Sequence, residues 1–160
     1  MIWPDLITTR RIVLPPLERN ERRLFGRDIM FSKALQTRGF AGVVLEATVD
    51  DVRRQLLDVD RVYPVNTATM KYHQGNHGRA YECGSYALRP DGFLGEYQFH
   101  FRLWNHVDGV GISAHYELNP WRRPRDHYAG VDWQPQLGIE KARELLDIDP
   151  AADVDDIRPQ

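Results

Sequence analysis

Between residues 94 and 118 the chain alternates apolar and polar side chains on both sides of one Asp108-Gly109 dipeptide, and no other stretch constrains the fold as tightly. Asp-Gly between two alternating runs marks a two-residue hairpin turn, because its residues tolerate the positive φ that such a turn demands. With Asp108 and Gly109 in the turn, Val107 pairs with Val110, Asn105 with Ile112, Leu103 with Ala114, Phe101 with Tyr116 and Phe99 with Leu118. The intervening positions pair His106 with Gly111, Trp104 with Ser113, Arg102 with His115 and His100 with Glu117. Successive side chains of a strand point to opposite faces. One face is therefore nearly all apolar and must cover a core, while the other carries imidazole, guanidinium, carboxylate and indole groups.

The same period of two runs upstream. It appears over residues 66–73 and again over residues 81–88, with turns at Gly75-Asn76-His77-Gly78 and Pro90-Asp91-Gly92. A three-residue loop at Pro90-Asp91-Gly92 places Glu82 opposite His100. The expected fold is α+β: a four-stranded antiparallel β-meander over about 61–118, a strand at 40–47 as an optional further member, and helices packed on the apolar face.

Three helices are expected. Thr48 and Asp51 have the spacing of a capping box, in which each side chain satisfies the other's orphan amide. Val49, Val52, Leu56 and Val59 then share one helical face. A helix from Pro16 to about Gln36 carries Leu17, Leu24, Phe25, Ile29 and Leu35, with Gly26 as a weak point. The last helix spans 137–146, with Ile139, Ala142, Leu145 and Leu146 inward, after a long loop over 119–135. Residues 1–15 read as an extended, proline-punctuated arm, and residues 150–160 as an acidic tail that frays. At 160 residues the whole is expected to be one domain.

Composition excludes several function classes. The lone Cys83 forbids an internal disulfide, so a stapled secreted scaffold is out. There is no apolar run long enough to span a membrane. Met1-Ile2-Trp3-Pro4-Asp5 does not open a secretory signal, so a cytoplasmic or virion location is expected. A net charge of −2 argues against a chain dominated by nucleic-acid binding. Arginine far outnumbers lysine, which occurs only at Lys33, Lys71 and Lys141; a GC-rich gene accounts for that bias.

Candidate chemistry gathers on the polar sheet face. Glu82, His100 and Glu117 form a row across three strands, beside Arg102 and His115. Carboxylates flanking an imidazole suit acid–base work or a metal. The same face could instead be solvated, its charges paired across strands, or be covered by a partner chain with Trp104 as anchor. His73 and His77 flank a turn, but no further ligands complete a zinc set, so no metal and no cofactor is assigned. Pro90-Asp91 with Glu96-Tyr97-Gln98 lacks the spacing and the lysine of a metal-dependent nuclease. Arg19, Arg22, Arg23 and Arg27 stripe the first helix, and Arg122, Arg123 and Arg125 cluster beside Trp121 and Tyr128; acidic neighbours dilute both groups.

No nucleophile elbow, P-loop or GxGxxG motif is present, which favours a non-enzymatic reading. The leading expectation is a subunit of a larger assembly, such as a virion or mobile-element component. Its partners would be protein subunits met through Trp104, Trp121, Arg122, Arg123 and Arg125. The alternatives are a small enzyme or ligand-binding domain using Glu82, His100, Arg102, His115 and Glu117, and an accessory nucleic-acid binder using the arginine clusters. What lies over His100 and Glu117 separates these readings.

Overall fold

The computed structural model describes residues 39–65 and 70–159, with the backbone of Phe31–Lys33 and two helical positions, Asn20 and Arg23. The elements are β1 (Phe31–Lys33), β2 (Phe40–Leu45), α1 (Val49–Asp58), β3 (Val62–Pro64), β4 (Met70–Gly75), β5 (Gly78–Tyr81), β6 (Gly84–Leu88), β7 (Tyr97–His106), β8 (Gly109–Leu118), α2 (Pro124–Ala129), α3 (Pro135–Leu145) and a 3-10 turn at Val154–Asp156. The expected arm over 1–15 lies outside the described residues.

The architecture is α+β, but the sheet is not a four-stranded meander. Five strands in the order β2-β8-β7-β6-β3 pair antiparallel throughout, so the optional strand near residue 40 is a full member beside β8. A second sheet has the order β1-β4-β5, with β1 parallel to β4. The start of the expected meander, with its period-two run over 66–73, is divided between the two sheets. β3 joins the large sheet, whereas β4 turns back on β5. The strand expected from Tyr81 is split too, at Glu82-Cys83, where the chain crosses from the small sheet to the large one. The helix expected to run to about Gln36 is interrupted, because Phe31–Lys33 pairs with Met70, Lys71 and Tyr72 as a strand.

The β7–β8 hairpin keeps its expected faces but not its expected register. His106 pairs with Gly109, Leu103 with Ile112, Phe101 with Ala114 and His100 with His115. Relative to the expected pairing, one strand has slid by two residues, and a slide of two leaves every side chain on its original face. The turn residues are Val107 and Asp108, not Asp108 and Gly109. Neighbours explain the change: the Asp108 amide donates to His106 Nδ1 at 3.2 Å, and Glu46 N donates to the Asp108 carbonyl at 2.9 Å. Gly109, at φ 152°, lies so close to β2 that a Cβ would sit 2.2 Å from the Val44 carbonyl oxygen. Glycine is therefore required here by the neighbouring strand as well as by the bend.

Helices cover the apolar face. α1 begins with the expected capping box: Asp51 N donates to Thr48 Oγ1 at 3.2 Å, and Thr48 N donates to Asp51 Oδ2 at 3.0 Å. Val52 and Leu56 of α1, and Ala142 of α3 with Leu146 just after it, share one core with Phe101, Leu103, Ile112 and Ala114. Each large aliphatic or aromatic side chain fully buried there contributes roughly 1.5–3 kcal/mol.

The opposite face is partly covered and not an open, flat surface. β4 and β5 lie over part of it, with Ala80 packed on Trp104. The long loop expected over 119–135 contains α2, and the segment leading into α3 is pinned where Tyr116 and Gln134 exchange backbone hydrogen bonds at 2.9 and 2.8 Å. The acidic tail does not fray. Ile157 is buried, bridges to His106 and joins the Trp104 cluster, while the Asp153 carbonyl lies 2.9 Å from His106 Nε2. His73 and His77 meet the same segment, at 3.3 Å from Asp155 and 3.4 Å from Asp156. Among the described residues no helix is long and apolar enough to cross a membrane.

Candidate functional site

Between the polar sheet face and these coverings, the described residues line a half-open cavity of about 580 Å³. β7 contributes Gln98, His100, Arg102 and Trp104 to its floor, and β8 contributes Ser113, His115 and Glu117. Strand alternation puts these residues on one face, since they occupy every second position. The roof comes from distant parts of the chain, including Lys71, His127, Trp133 and Ile157.

Glu117 is the centre of a hydrogen-bonded cluster. Its Oε1 accepts from Gln98 Nε2 at 2.8 Å and lies 3.0 Å from His100 Nδ1. Its Oε2 lies 2.8 Å from His115 Nε2 and 3.5 Å from His127 Nδ1. Gln98 is oriented in turn by Arg89, whose Nε donates to Oε1 of the amide at 3.0 Å. His100 Nε2 lies 2.7 Å from Ser85 Oγ.

Electrostatics settle the protonation states. Burial above all, and then the Arg102 charge, push the His100 imidazole from an ordinary 6.5 to about 3. Burial pushes the Glu117 carboxyl up, but the His100 and His115 imidazoles beside it outweigh that and hold it well below the ordinary carboxylate range. At neutral pH Glu117 is thus an anion and His100 is neutral. A carboxylate only accepts, so His100 Nδ1–H donates to it and Nε2 is left to accept from the Ser85 hydroxyl.

Ser85, His100 and Glu117 follow the order of a nucleophile–base–orienter relay. Ser85 is only 3% exposed, midway along β6, and is not among the groups lining the cavity. Its hydroxyl orients the ring instead of meeting a ligand. The second arrangement is a donor cluster. One ligand atom each from His100, His115 and Glu117 lie within 4.8 Å of one another, so these are the residues that could hold a metal, where the sequence assigns none.

Of the expected candidates, His100, His115 and Glu117 are brought together, although Glu117 faces Gln98 across the ladder and His100 faces His115. Arg102 lines the cavity, and Glu82 binds it through the buried Arg102 Nη1–Glu82 Oε2 ion pair. Glu82 is not opposite His100. The loop after β6 runs over 89–96, not three residues, so Ala87 takes that place and Ser85 faces Arg102. Trp104 is no exposed anchor: it is 2% exposed, and its indole N–H donates to Ser113 Oγ at 2.9 Å. Trp121, Arg122, Arg123 and Arg125 are exposed on the loop and α2 at the cavity's edge, where Arg123 binds Glu96 at 3.0 Å.

Ser85, Gln98 and His127 are the participants that the sequence reading leaves out. Gln98 shares the alternation of His100 and was within reach of that pattern. Ser85 is hidden by the loop length, and His127 sits on a separate helix that no period connects to β8. Compared with protein-family models, with curated proteins and with solved structures, the chain matches none.

Proposed function

We propose that the protein binds a small organic molecule in the cavity and acts on it through the His100–His115–Glu117 cluster, as a small enzyme or ligand-binding domain. The observation that carries this reading is the ionised Glu117, 7% exposed, set with two imidazoles in the floor of a cavity of about 580 Å³. That volume falls within the range of roughly 300–1,000 Å³ that small-molecule sites occupy. Burying a carboxylate costs several kcal/mol before its partners compensate, and an apolar side chain of similar size would serve stability about as well. Charged groups with perturbed protonation inside a cleft are a mark of function. Trp133 offers flat apolar contact to the body of such a ligand, while Arg102 and the cluster orient its polar end.

The reading as an assembly subunit, in a virion or the cytoplasm, loses Trp104 as an exposed anchor but keeps exposed Trp121, Arg122 and Arg125 as contact residues. The nucleic-acid reading retains exposed Arg122 and Arg125, but Arg123 is engaged by Glu96 and Asp126.

Binding is tested by titrating a fragment library into ¹⁵N-labelled protein and following the imidazole and indole resonances. Ring-bearing fragments with one polar group should shift His115 and Trp133 saturably. Glu117→Gln should weaken them about tenfold or more, as expected for loss of a charged hydrogen-bond partner. Fragments that shift only outer-surface residues, or none that shift the cavity, would overturn the proposal.

A further inference from the structure

We infer that His100, His115 and Glu117 hold one divalent transition-metal ion, with its open positions facing the cavity. This rests on the reading of the cavity as a ligand site and names what its polar end contains. The donor set is two imidazoles and one carboxylate, which suits ions of the zinc or iron(II) type better than magnesium or calcium, whose sites are built from oxygen.

The spacing fits. An ion bound at roughly 2.1 Å by each donor separates neighbouring donors by about 3.0–3.4 Å in tetrahedral or octahedral geometry. His100 Nδ1 lies 3.0 Å from Glu117 Oε1, and His115 Nε2 lies 2.8 Å from Glu117 Oε2. All three ligand atoms fall within 4.8 Å of one another. The backbone that carries them is rigid: His100 and His115 are direct partners in the β7–β8 ladder, and Glu117 is the next residue along on the same face.

Supporting contacts surround the donors in the manner of a metal centre. His100 uses its other nitrogen on Ser85 Oγ at 2.7 Å. Glu117 is held by Gln98, which Arg89 orients. Such outer partners fix ring orientation and carboxylate angle. Three protein ligands on one side of a cavity leave room for water and a ligand group on the other, the arrangement of a catalytic rather than a structural site. His100 Nδ1–H and Glu117 at present satisfy each other by a hydrogen bond; for Nδ1 to ligate an ion, the ring would carry its proton on Nε2 instead and donate it to Ser85 Oγ.

The test uses the whole 160-residue chain, stripped with a chelator and dialysed, then titrated with Co²⁺ followed by visible absorption and with Zn²⁺ followed by calorimetry. One ion per chain is expected. Zn²⁺ should shift the imidazole nitrogens of His100 and His115 and leave His106 in place. His115→Asn, chosen because His115 is the least buried ligand, should weaken binding at least 100-fold with the fold intact by circular dichroism. Gln98→Ala should weaken it about 10–100-fold. No saturable binding by the native chain, or binding that His115→Asn leaves unchanged, would overturn the inference. If fragments bind the metal-free cavity while no ion does, the metal fails and the ligand site stands. If neither binds, both readings fall.

Discussion

Replacing Gly138 by alanine sets two effects of opposite sign against each other. Gly138 lies in the first turns of α3, directly over the backbone of β8. A Cβ there would sit 2.2 Å from His115 Cα, 2.3 Å from its N and 2.5 Å from its C. All three are main-chain atoms of a central strand and cannot swing aside. Carbon atoms rest at about 3.5–4.0 Å, so α3 must withdraw by more than about 1 Å or β8 must bow. Withdrawal lifts Ala142 and Leu146 off the core, where they are 0% and 4% exposed. Helix propensity alone makes the alanine variant more stable by roughly 0.5–1 kcal/mol. Overpacking costs typically about 1–3 kcal/mol, and contact with backbone belongs at the upper end. The net expectation is a loss of about 2 kcal/mol, equivalent to a fall in Tm of about 4–8 °C for a domain of this size. Urea and thermal melts by circular dichroism measure it. The His115 imidazole resonances should shift as well, because the strand being pushed is the one that positions them. A variant as stable as the native chain, or more stable, would refute the claim that α3 is seated directly on β8.

Two other perturbations test the buried face. In the presence of chelator, stability should rise with pH between about 3 and 6.5, because unfolded His100 takes up a proton near 6.5 whereas the folded imidazole resists until about 3. The unfolded state binds the extra proton, so the slope from this group is about 1.4 kcal/mol per pH unit. The contribution is complete above 6.5 and is lost on acidification. Glu117, whose folded pKa is also depressed, adds loss in the same direction below 4.5. Urea midpoints from pH 4.5 to 7.5 should show the slope in the native chain and a shallower one in His100→Gln; coincident slopes would contradict the burial of His100. Ile157→Ala should cost about 2–4 kcal/mol, since Ile157 is 1% exposed against Trp104, and should speed amide exchange at Arg158, whose N–H is held by the Asn105 carbonyl at 2.9 Å. A change under about 0.5 kcal/mol would mean that the C-terminal segment is not docked.

What the amino-acid sequence determined by itself are the features set by contacts within a few residues. The capping box at Thr48 and Asp51 needs only a separation of three, and it forms as expected. The sorting of Phe101 and Leu103 to one face and His100 and Arg102 to the other follows from a pleat of period two, and it survives a register slide of two. The register itself depended on β2 pressing against Gly109, which no local pattern announces. The place of Glu82 was lost because the loop over 89–96 is longer than the Pro90-Asp91-Gly92 turn suggests, which moves β6 along β7 and puts Ser85 beside His100. Only the tertiary structure turned a polar sheet face into a cavity. Its roof joins Lys71, His127, Trp133 and Ile157, segments far apart in the chain that meet through non-local closure and burial, and residue spacing carries no record of such meetings.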